Sequence, residues 1–183
     1  QEAEIQTKED HEIFKKVMDY IGIPFIFLKR PEWDKFPGAD NTYAFETVMP
    51  DGQSLQIGTT HNLGENFSKV FNVKYTDEKG NKKLSSTTSF GPGIMRILGA
   101  IISIHGDDRG IIFPPSISPI QIVIVPIYTG ITKSRVMEKC GEILGRLESK
   151  FRIHLDDREQ YTPGFKFHEW ELKGVPLRIE IGP

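Results

Sequence analysis

The sequence has one cysteine, no long apolar run and almost no net charge. The single cysteine, Cys140, excludes a disulfide framework and a cysteine-based zinc site within the chain. The longest apolar stretches, such as Ile122–Ile127, extend over about six residues, whereas a membrane helix needs roughly 20. Because the formal charge is −2, no excess of positive charge indicates a nucleic-acid-binding protein.

No secretory signal peptide is recognisable either, since the first four residues are acidic instead of basic and then apolar. The 183 residues fit one medium domain or two small ones. Their composition, 38% hydrophobic and 26% charged, is ordinary for a globular protein. We therefore expect a soluble, cytoplasmic protein with no membrane partner.

The chain divides at a proline-rich segment. Three prolines within 114–119 disfavour both helix continuation and central-strand pairing. We therefore expect a first domain over 1–113, a linker over 114–118 and a second domain over 119–183.

The first domain has the pattern of an antiparallel sheet with flanking helices, an α+β fold. Residues 4–21 and 93–105 carry apolar side chains at helical spacing, and Asp51-Gly52 is a hairpin signal. The predicted strands, which are rich in β-branched residues and bounded by turn residues, are Ile23–Leu28, Thr42–Val48, Ser54–Thr60, Val70–Tyr75 and Leu84–Phe90.

The second domain alternates strands and helices in the order βαβαβ. Gln121–Ile127 is almost continuously apolar, which is typical of a strand buried on both faces. The other predicted elements are an amphipathic helix over 136–147, a strand over Phe151–Leu155, a helix that begins after Thr162 and ends near Gly174, and a strand over Val175–Ile181. This order predicts a small α/β domain with some parallel pairing.

A polar cluster lies at Gln56–Gly64. Strand alternation places Thr59 and His61 on one face, and a bulge at Gly58 would bring Gln56 to the same side. Such a row of donors and acceptors is either a substrate-facing surface or a solvated strand end with an ordinary histidine.

Two further segments contain polar residues near glycine. In Ser89–Arg96 the glycines permit close approach of a ligand, and Arg96 in the first helical turn is suited to a phosphate; the alternative is a solvated arginine. His105-Gly-Asp-Asp108 superficially resembles a metal site, but we interpret it as a helix end followed by a turn. No P-loop, dinucleotide fingerprint or nucleophile elbow is present.

Five blocks in succession extend this interpretation. They are Arg30–Ala39, Gln56–Lys69, His105–Gly110, Pro119–Pro126 and Pro163–Pro183. Together the blocks resemble the prolyl-tRNA synthetases of the archaeal and eukaryotic type, which are class II enzymes, over essentially the whole chain. The resemblance implies ATP-dependent activation of proline to prolyl-adenylate and transfer of the prolyl group to tRNA(Pro). It also implies ATP and Mg²⁺ as cofactors, an anticodon-binding second domain and a homodimer in the full-length enzyme.

The resemblance also implies roles for individual residues of the first domain. Gln56, Thr59 and Arg96 match residues that contact ATP, and Gln56 is also near the Mg²⁺ ion. Phe36 and His61 match the proline pocket. We expect His61 to bind substrate instead of moving a proton, because the proline carboxylate is already a nucleophile, and no catalytic residue is assigned.

The second domain carries the anticodon-binding candidates Arg158, Lys166 and Glu169, around the start of the last helix. Arginine pairs well with guanine, and a proline anticodon contains guanines. Phe165 or Phe167 could stack on single-stranded bases. The alternative is that these phenylalanines and Trp170 belong to the core of a small domain.

Two departures from the family pattern qualify these expectations. Residues 89–96 are one residue longer than usual, so the neighbours of Arg96 have no individual assignments. The chain also lacks the first two class II motifs, so we expect an internal piece of a synthetase that is inactive alone. The alternatives are a non-catalytic tRNA-binding module and an inactive synthetase paralogue.

Overall fold

A computed structural model describes residues 2–183, which form two compact units. The first extends to Ala100 and the second covers Ile101–Pro183. Within residues 2–183, no helix has the length and apolar character that a membrane crossing requires.

The first unit is built on an antiparallel sheet, as predicted, but this sheet has four strands instead of the five proposed. The elements in chain order are α1 (Glu2–Ile21), β1 (Ile26–Lys29), β2 (Asn41–Val48), β3 (Ser54–Gly64), α2 (Asn66–Phe71), β4 (Lys74–Thr76), β5 (Lys82–Leu84), β6 (Thr87–Pro92) and α3 (Ile94–His105). The strand order in the sheet is β1-β2-β3-β6, and β4 and β5 form a separate hairpin. Helix α3 begins in this unit and crosses its boundary.

Helix α1 covers one face of this sheet because its apolar side chains repeat at helical spacing. Phe14 is buried and stacks on Phe45 of β2, with ring centroids 4.0 Å apart. A buried hydrogen bond, 2.6 Å long, runs from the Thr60 hydroxyl to the Asp10 carboxylate of the same helix. The core of the unit therefore lies between α1 and the sheet, and the opposite face carries the polar residues of β3.

The second unit contains a three-stranded parallel sheet, which confirms the predicted parallel pairing. Its elements are β7 (Ile122–Pro126), α4 (Lys133–Leu147), β8 (Ile153–Leu155), α5 (Pro163–Leu172) and β9 (Leu177–Ile181), with strand order β8-β7-β9. Every residue of β7 is buried. Cys140 of α4 packs with Ile124 on one face, and Trp170 of α5 packs with Val123 on the other. Burial raises the pKa of the Cys140 thiol.

The prediction of one strand over Val70–Tyr75 was wrong. Helix α2 continues to Phe71, Asn72 takes a left-handed conformation with φ 53°, and the strand begins only at Lys74. The predicted strand Leu84–Phe90 is likewise divided, because β5 ends at Leu84 and β6 begins at Thr87. Short apolar segments fit either periodicity, so local patterning could not separate these elements.

Residues between α3 and the proline-rich segment associate with the second unit. The amide of Phe113 donates to the carbonyl of Gly174 over 3.3 Å, just beyond α5. At Gly174, where φ is +69°, a Cβ would lie 2.7 Å from Ile111. The sequence analysis placed residues 106–113 with the first domain.

Candidate functional site

A β-bulge in β3 brings the polar residues of the first unit onto one face. Phe45 pairs with Gly58, but the next residue of β2, Glu46, pairs with Gln56, so Ile57 is the extra residue. Strand pairing then places three residues of β3 opposite Glu46, Ala44 and Thr42 in turn: Gln56, Thr59 and His61. A bulge is therefore present next to Gly58, where the sequence analysis considered one, with Ile57 as the extra residue, and it aligns all three candidates.

The bulge depends on how the residues behind it pack. The side chain of Ile57, the extra residue, is completely buried. Removal of this apolar side chain from water stabilises the bulge. Gly58 lies against the same core, where an added Cβ would be 2.8 Å from the Phe14 ring. Real Cβ atoms do not approach so closely, so the packing of α1 requires glycine here.

His61 and Phe36 lie together beside Thr42. The Phe36 amide donates to the Thr42 hydroxyl oxygen over 2.9 Å, and the same oxygen is 3.0 Å from His61 Nδ1. The Phe36 and His61 rings are 5.0 Å apart, and Phe36 is 45% exposed. Partial burial lowers the pKa of His61, which favours the neutral imidazole. The structure therefore brings the two proline-pocket candidates into one cluster.

Arg30 is the central residue of a polar network that sequence analysis did not single out. Its guanidinium donates to the Glu46 carboxylate and, over 3.1 Å, to Gln56 Oε1, and it lies 3.3 Å from Asp34. It thereby links three segments of the unit. Glu46 is the sequence feature that could have revealed this network. It is an acidic residue within the buried strand β2, and a buried carboxylate needs a partner.

Arg96 lies beside Gln56, as the two ATP-binding assignments require. Its guanidinium donates to the Gln56 carbonyl oxygen over 3.1 Å. The amide of Gly93 donates to the Ile57 carbonyl over 2.8 Å, which fixes the start of α3 next to the bulge. The Arg96 side chain remains exposed at the edge of the polar face.

Metal binding has little support from the protein side chains alone. Residues 2–183 contain no group of three or more His, Cys, Asp or Glu residues placed to hold a metal ion. Asp107 and Gly110 exchange backbone hydrogen bonds of 3.0 and 3.2 Å, which confirms a turn in the His105–Gly110 segment. Gln56 Oε1 is a metal-compatible oxygen, but it also accepts from Arg30.

The anticodon candidates of the second unit surround a carboxylate that sequence analysis missed. Asp156 is fully buried and accepts two 2.8 Å hydrogen bonds from Arg158. Lys166 Nζ donates to the Asp156 carbonyl over 2.9 Å, and the Trp170 indole donates to the Asp156 carboxylate over 2.8 Å. We call Asp156, Arg158, Lys166, Glu169 and Trp170 the Asp156 network.

The folded structure shifts the pKa values of Asp156 and Arg158 within this network. Burial opposes the charge on Asp156, but the hydrogen bonds from Arg158 and Trp170 and the charge of Lys166 hold its pKa well below its usual range. Arg158 also pairs with Glu169 over 2.5 Å, and these two carboxylates raise the pKa of the guanidinium. The ammonium group of Lys166 is buried within the network instead of lying free at the surface.

The aromatic side chains here have different environments. Trp170 belongs to the core, which confirms that interpretation, and Phe167 packs against the same cluster. Phe165 is half exposed and stacks on Tyr161 at 4.5 Å, while Arg158 lies 4.8 Å above the Tyr161 ring.

A cavity of about 240 Å³ opens between Tyr161, the end of β7 and the start of α5. Thr162 begins that helix as predicted, with its hydroxyl accepting from the Phe165 amide. Arg158 and Lys166 also line this cavity, which lies at the carboxyl end of a parallel strand, a usual place for ligands.

Two family descriptions match the chain. Residues 2–105 match the tRNA synthetase class II core domain of the G, H, P, S and T group, and residues 121–183 match an anticodon binding domain. The first match covers more than half of the chain and the second covers most of the remainder.

Curated relatives agree with these matches. The whole chain is 53% identical to a proline–tRNA ligase from Thermofilum pendens and 52% identical to one from Methanocaldococcus jannaschii. It spans 38% of the length of the first relative and 40% of the second.

Solved structures show the same similarity in three dimensions. Giardia lamblia prolyl-tRNA synthetase in complex with prolyl-adenylate aligns with a TM-score of 0.90 at 36% identity. The Cryptosporidium parvum prolyl-tRNA synthetase complexed with L-proline and AMP aligns with a TM-score of 0.81 at 38% identity. Each alignment covers 99% of this chain and 38% of the solved one. The chain thus belongs to the class II tRNA synthetase family of the G, H, P, S and T group.

Proposed function

We propose that this chain is the part of a proline–tRNA ligase that binds proline and ATP through its first unit and the tRNA(Pro) anticodon through its second. The observation that carries the proposal is the bulge in β3, which aligns Gln56, Thr59 and His61 on one face. Relatives named as proline–tRNA ligases and solved structures holding prolyl-adenylate, or L-proline and AMP, support the same reaction.

The proline pocket is formed by Phe36 and His61. The Phe36 ring supplies an apolar wall for the pyrrolidine ring, because it is partly exposed and lies beside the imidazole. The Thr42 hydroxyl, which already accepts from Phe36, can donate to His61 Nδ1. That arrangement leaves the Nε2 hydrogen of a neutral imidazole free to donate to substrate. His61 therefore acts as a binding group.

ATP lies across Gln56, Thr59 and Arg96 in this proposal. Arg96 contributes a guanidinium, which is suited to a terminal phosphate, and its contact with the Gln56 carbonyl holds it beside the polar face. Magnesium would enter as an ion accompanying the phosphates, which supply most of its oxygen ligands. Gln56 Oε1 would join them only by giving up its hydrogen bond from Arg30. The bound ion would neutralise phosphate charge.

The second unit provides the proposed anticodon surface. The half-exposed rings of Tyr161 and Phe165 form a platform on which bases can stack. To hydrogen-bond a guanine, Arg158 must break its ion pair with Glu169 or use the N–H groups that do not donate to Asp156 or Glu169. Lys166 is held by Asp156, so its proposed contribution is the positive charge at the cavity wall.

The complete enzyme, in this proposal, is a cytoplasmic homodimer, and this chain alone does not form adenylate. The proposal concerns the complete enzyme because this chain spans 38% of the length of the T. pendens proline–tRNA ligase. A test of function must therefore restore the rest of the enzyme.

A chimera provides that test. The matching segment of the M. jannaschii relative, which is 52% identical over the whole chain, would be replaced by this chain. We expect proline-dependent exchange of pyrophosphate into ATP by the chimera and none with alanine. His61→Ala should raise the KM for proline about 10- to 100-fold, the usual effect of losing one or two polar contacts, with a change below about threefold for ATP.

The matched control is His168→Ala, which removes an exposed imidazole from α5. It should leave exchange unchanged, because exchange does not use tRNA. A folded chimera without exchange would contradict the proposed function. Equal losses for proline and ATP in His61→Ala would contradict the pocket assignment alone.

A further inference from the structure

A segment of 22 residues connects the end of β3 to the start of β6 in the sheet of the first unit. Strand β3 ends at Gly64, whose partner on β6 is Thr87. Residues 65–86, which we call the arm, therefore form an excursion between two paired strands. The arm consists of α2 and the β4–β5 hairpin.

Internal hydrogen bonds make the arm a defined surface. The Val73 amide donates to the Ser68 carbonyl over 3.0 Å, and the Ser85 amide donates to the Val73 carbonyl over 3.2 Å. At the hairpin tip, the Asp77 carboxylate accepts from the amides of Lys79 and Asn81 over 3.0 and 2.8 Å. Helix and hairpin are thus joined at their base and the turn is capped.

The arm is basic, although the chain as a whole is not. It contains five lysines and three acidic residues, a net charge of +2, whereas the whole chain carries −2. Asp77 is occupied by the turn and by Lys83, 2.9 Å away. Lys74, Lys79 and Lys82 are exposed, and within residues 2–183 no carboxylate lies within 4.0 Å of their ammonium groups. Three positive charges are therefore available.

Exposed apolar and aromatic side chains accompany these lysines. Phe71 is 71% exposed and Tyr75 is 49% exposed, and the neighbouring Val70 and Val73 are also exposed. In the hairpin register Tyr75 and Lys83 share one face, and Lys74 and Lys82 share the opposite face, so the exposed ring and the free ammonium groups flank the same short hairpin. Lysines with aromatic rings suit RNA, because phosphates attract the charges and unpaired bases stack on the rings.

The start of the arm lies close to the proposed proline pocket. Phe67 of α2 lies 6.2 Å from the Phe36 ring, which in turn contacts His61. A tRNA that receives the prolyl group must bring its 3′ end to this pocket. We propose that the arm binds the acceptor end of the tRNA, with Lys74 and Lys82 at the phosphates and Tyr75 at an unpaired base. This inference rests on the proposed function.

The test uses the 183-residue chain and two RNA hairpins in a fluorescence anisotropy titration. One hairpin carries the acceptor stem and single-stranded 3′ end of tRNA(Pro), and the other carries the anticodon stem and loop. Lys74→Glu with Lys82→Glu should weaken binding of the acceptor hairpin at least about 10-fold and lower its salt-dependence slope by about 2. Binding of the anticodon hairpin should change less than about twofold.

Matched variants separate a local contact from general electrostatics. Lys8→Glu with Lys16→Glu changes the total charge equally on exposed positions of α1 and should leave acceptor-hairpin binding within about twofold. Tyr75→Ala should weaken binding and Tyr75→Phe should restore it, because phenylalanine still stacks. Circular dichroism would verify that each variant keeps its fold.

Several outcomes would overturn the assignment of the arm. They are equal losses in the α1 control, unchanged binding in both arm variants, and self-association through the exposed apolar residues without RNA binding. If the acceptor hairpin fails to bind while the chimera activates proline, the arm assignment fails and the proposed function stands. Absence of exchange by the chimera would instead count against the function.

Discussion

Asp156 is a carboxylate without exposed surface, yet it keeps its charge. Arg158, Lys166 and Trp170 each donate to this residue, from the following loop and from α5. The network therefore fastens the end of β8 to α5, the helix that borders the proposed anticodon cavity. The proposed recognition of bases by Arg158 is consequently linked to the stability of the second unit.

We predict that Asp156→Asn will destabilise the chain by about 3–5 kcal/mol, because the variant leaves Lys166 buried without its opposite charge. The free energy of unfolding in urea at pH 7 measures this effect. The control is Asp157→Asn, at the neighbouring exposed position, which should cost less than about 0.5 kcal/mol.

The pH dependence follows from the lowered pKa of Asp156. The carboxyl of the unfolded chain titrates near pH 3.9, above the folded-state pKa. Its stabilisation is therefore fully present above about pH 4 and is lost as the pH falls toward the folded-state pKa. The stability difference between wild type and Asp156→Asn should narrow below about pH 4. A difference that is small at pH 7 or constant with pH would contradict this role.

Among the elements, β3 is the one on which the site depends. Its bulge aligns the polar candidates, and Gly58 lets the Phe14 ring pack directly on the backbone. We predict that Gly58→Ala will destabilise the chain by about 1–3 kcal/mol, because Phe14 and Phe45 are fully buried and have no room to move. Thermal or urea unfolding would measure this cost.

Gly91→Ala is the matched control for that substitution. Gly91 is also a strand glycine, on neighbouring β6, but an added Cβ would have no atom within 4 Å. Its effect on stability should be near zero or slightly favourable, since alanine restricts the unfolded chain. Similar losses at both positions would mean that strand glycines act here through flexibility instead of packing.

The element order was largely predictable because local patterns determine most of it. The helical spacing of α1, the apolar run of β7 and the Thr162 cap each identified an element, and Gly58 indicated the bulge. Helix α2 escaped prediction because it is only six residues long, and the helical spacing of Phe67, Val70 and Phe71 is too short a pattern to distinguish a helix from a strand. The Arg30 and Asp156 networks escaped because tertiary packing is needed to bring Glu46 and Gln56 to Arg30, and Lys166 and Trp170 to Asp156.

At the scale of the molecule, residues 2–183 divide into two units, and buried apolar side chains lie in both. In the second unit, residues 106–113 pack on the end of α5 through Ile111 and Phe113. We predict that a fragment 106–183 will fold by itself and be more stable than a fragment 119–183 by about 1–2 kcal/mol, from the extra apolar burial. Cooperative urea transitions of the two fragments test this. Equal stabilities of the two fragments would mean that the second domain begins after the proline-rich segment, as the sequence analysis expected.

The single cysteine can be used to measure how often the second unit opens. Cys140 has no exposed surface and lies in the α4 face of the second core. An alkylating reagent therefore reaches its sulfur only in molecules whose second unit has opened, and the labelling rate counts those openings. Since the chain has no other thiol, the signal needs no cysteine-free background. A new cysteine placed in the arm would be modified in the native state, well before Cys140.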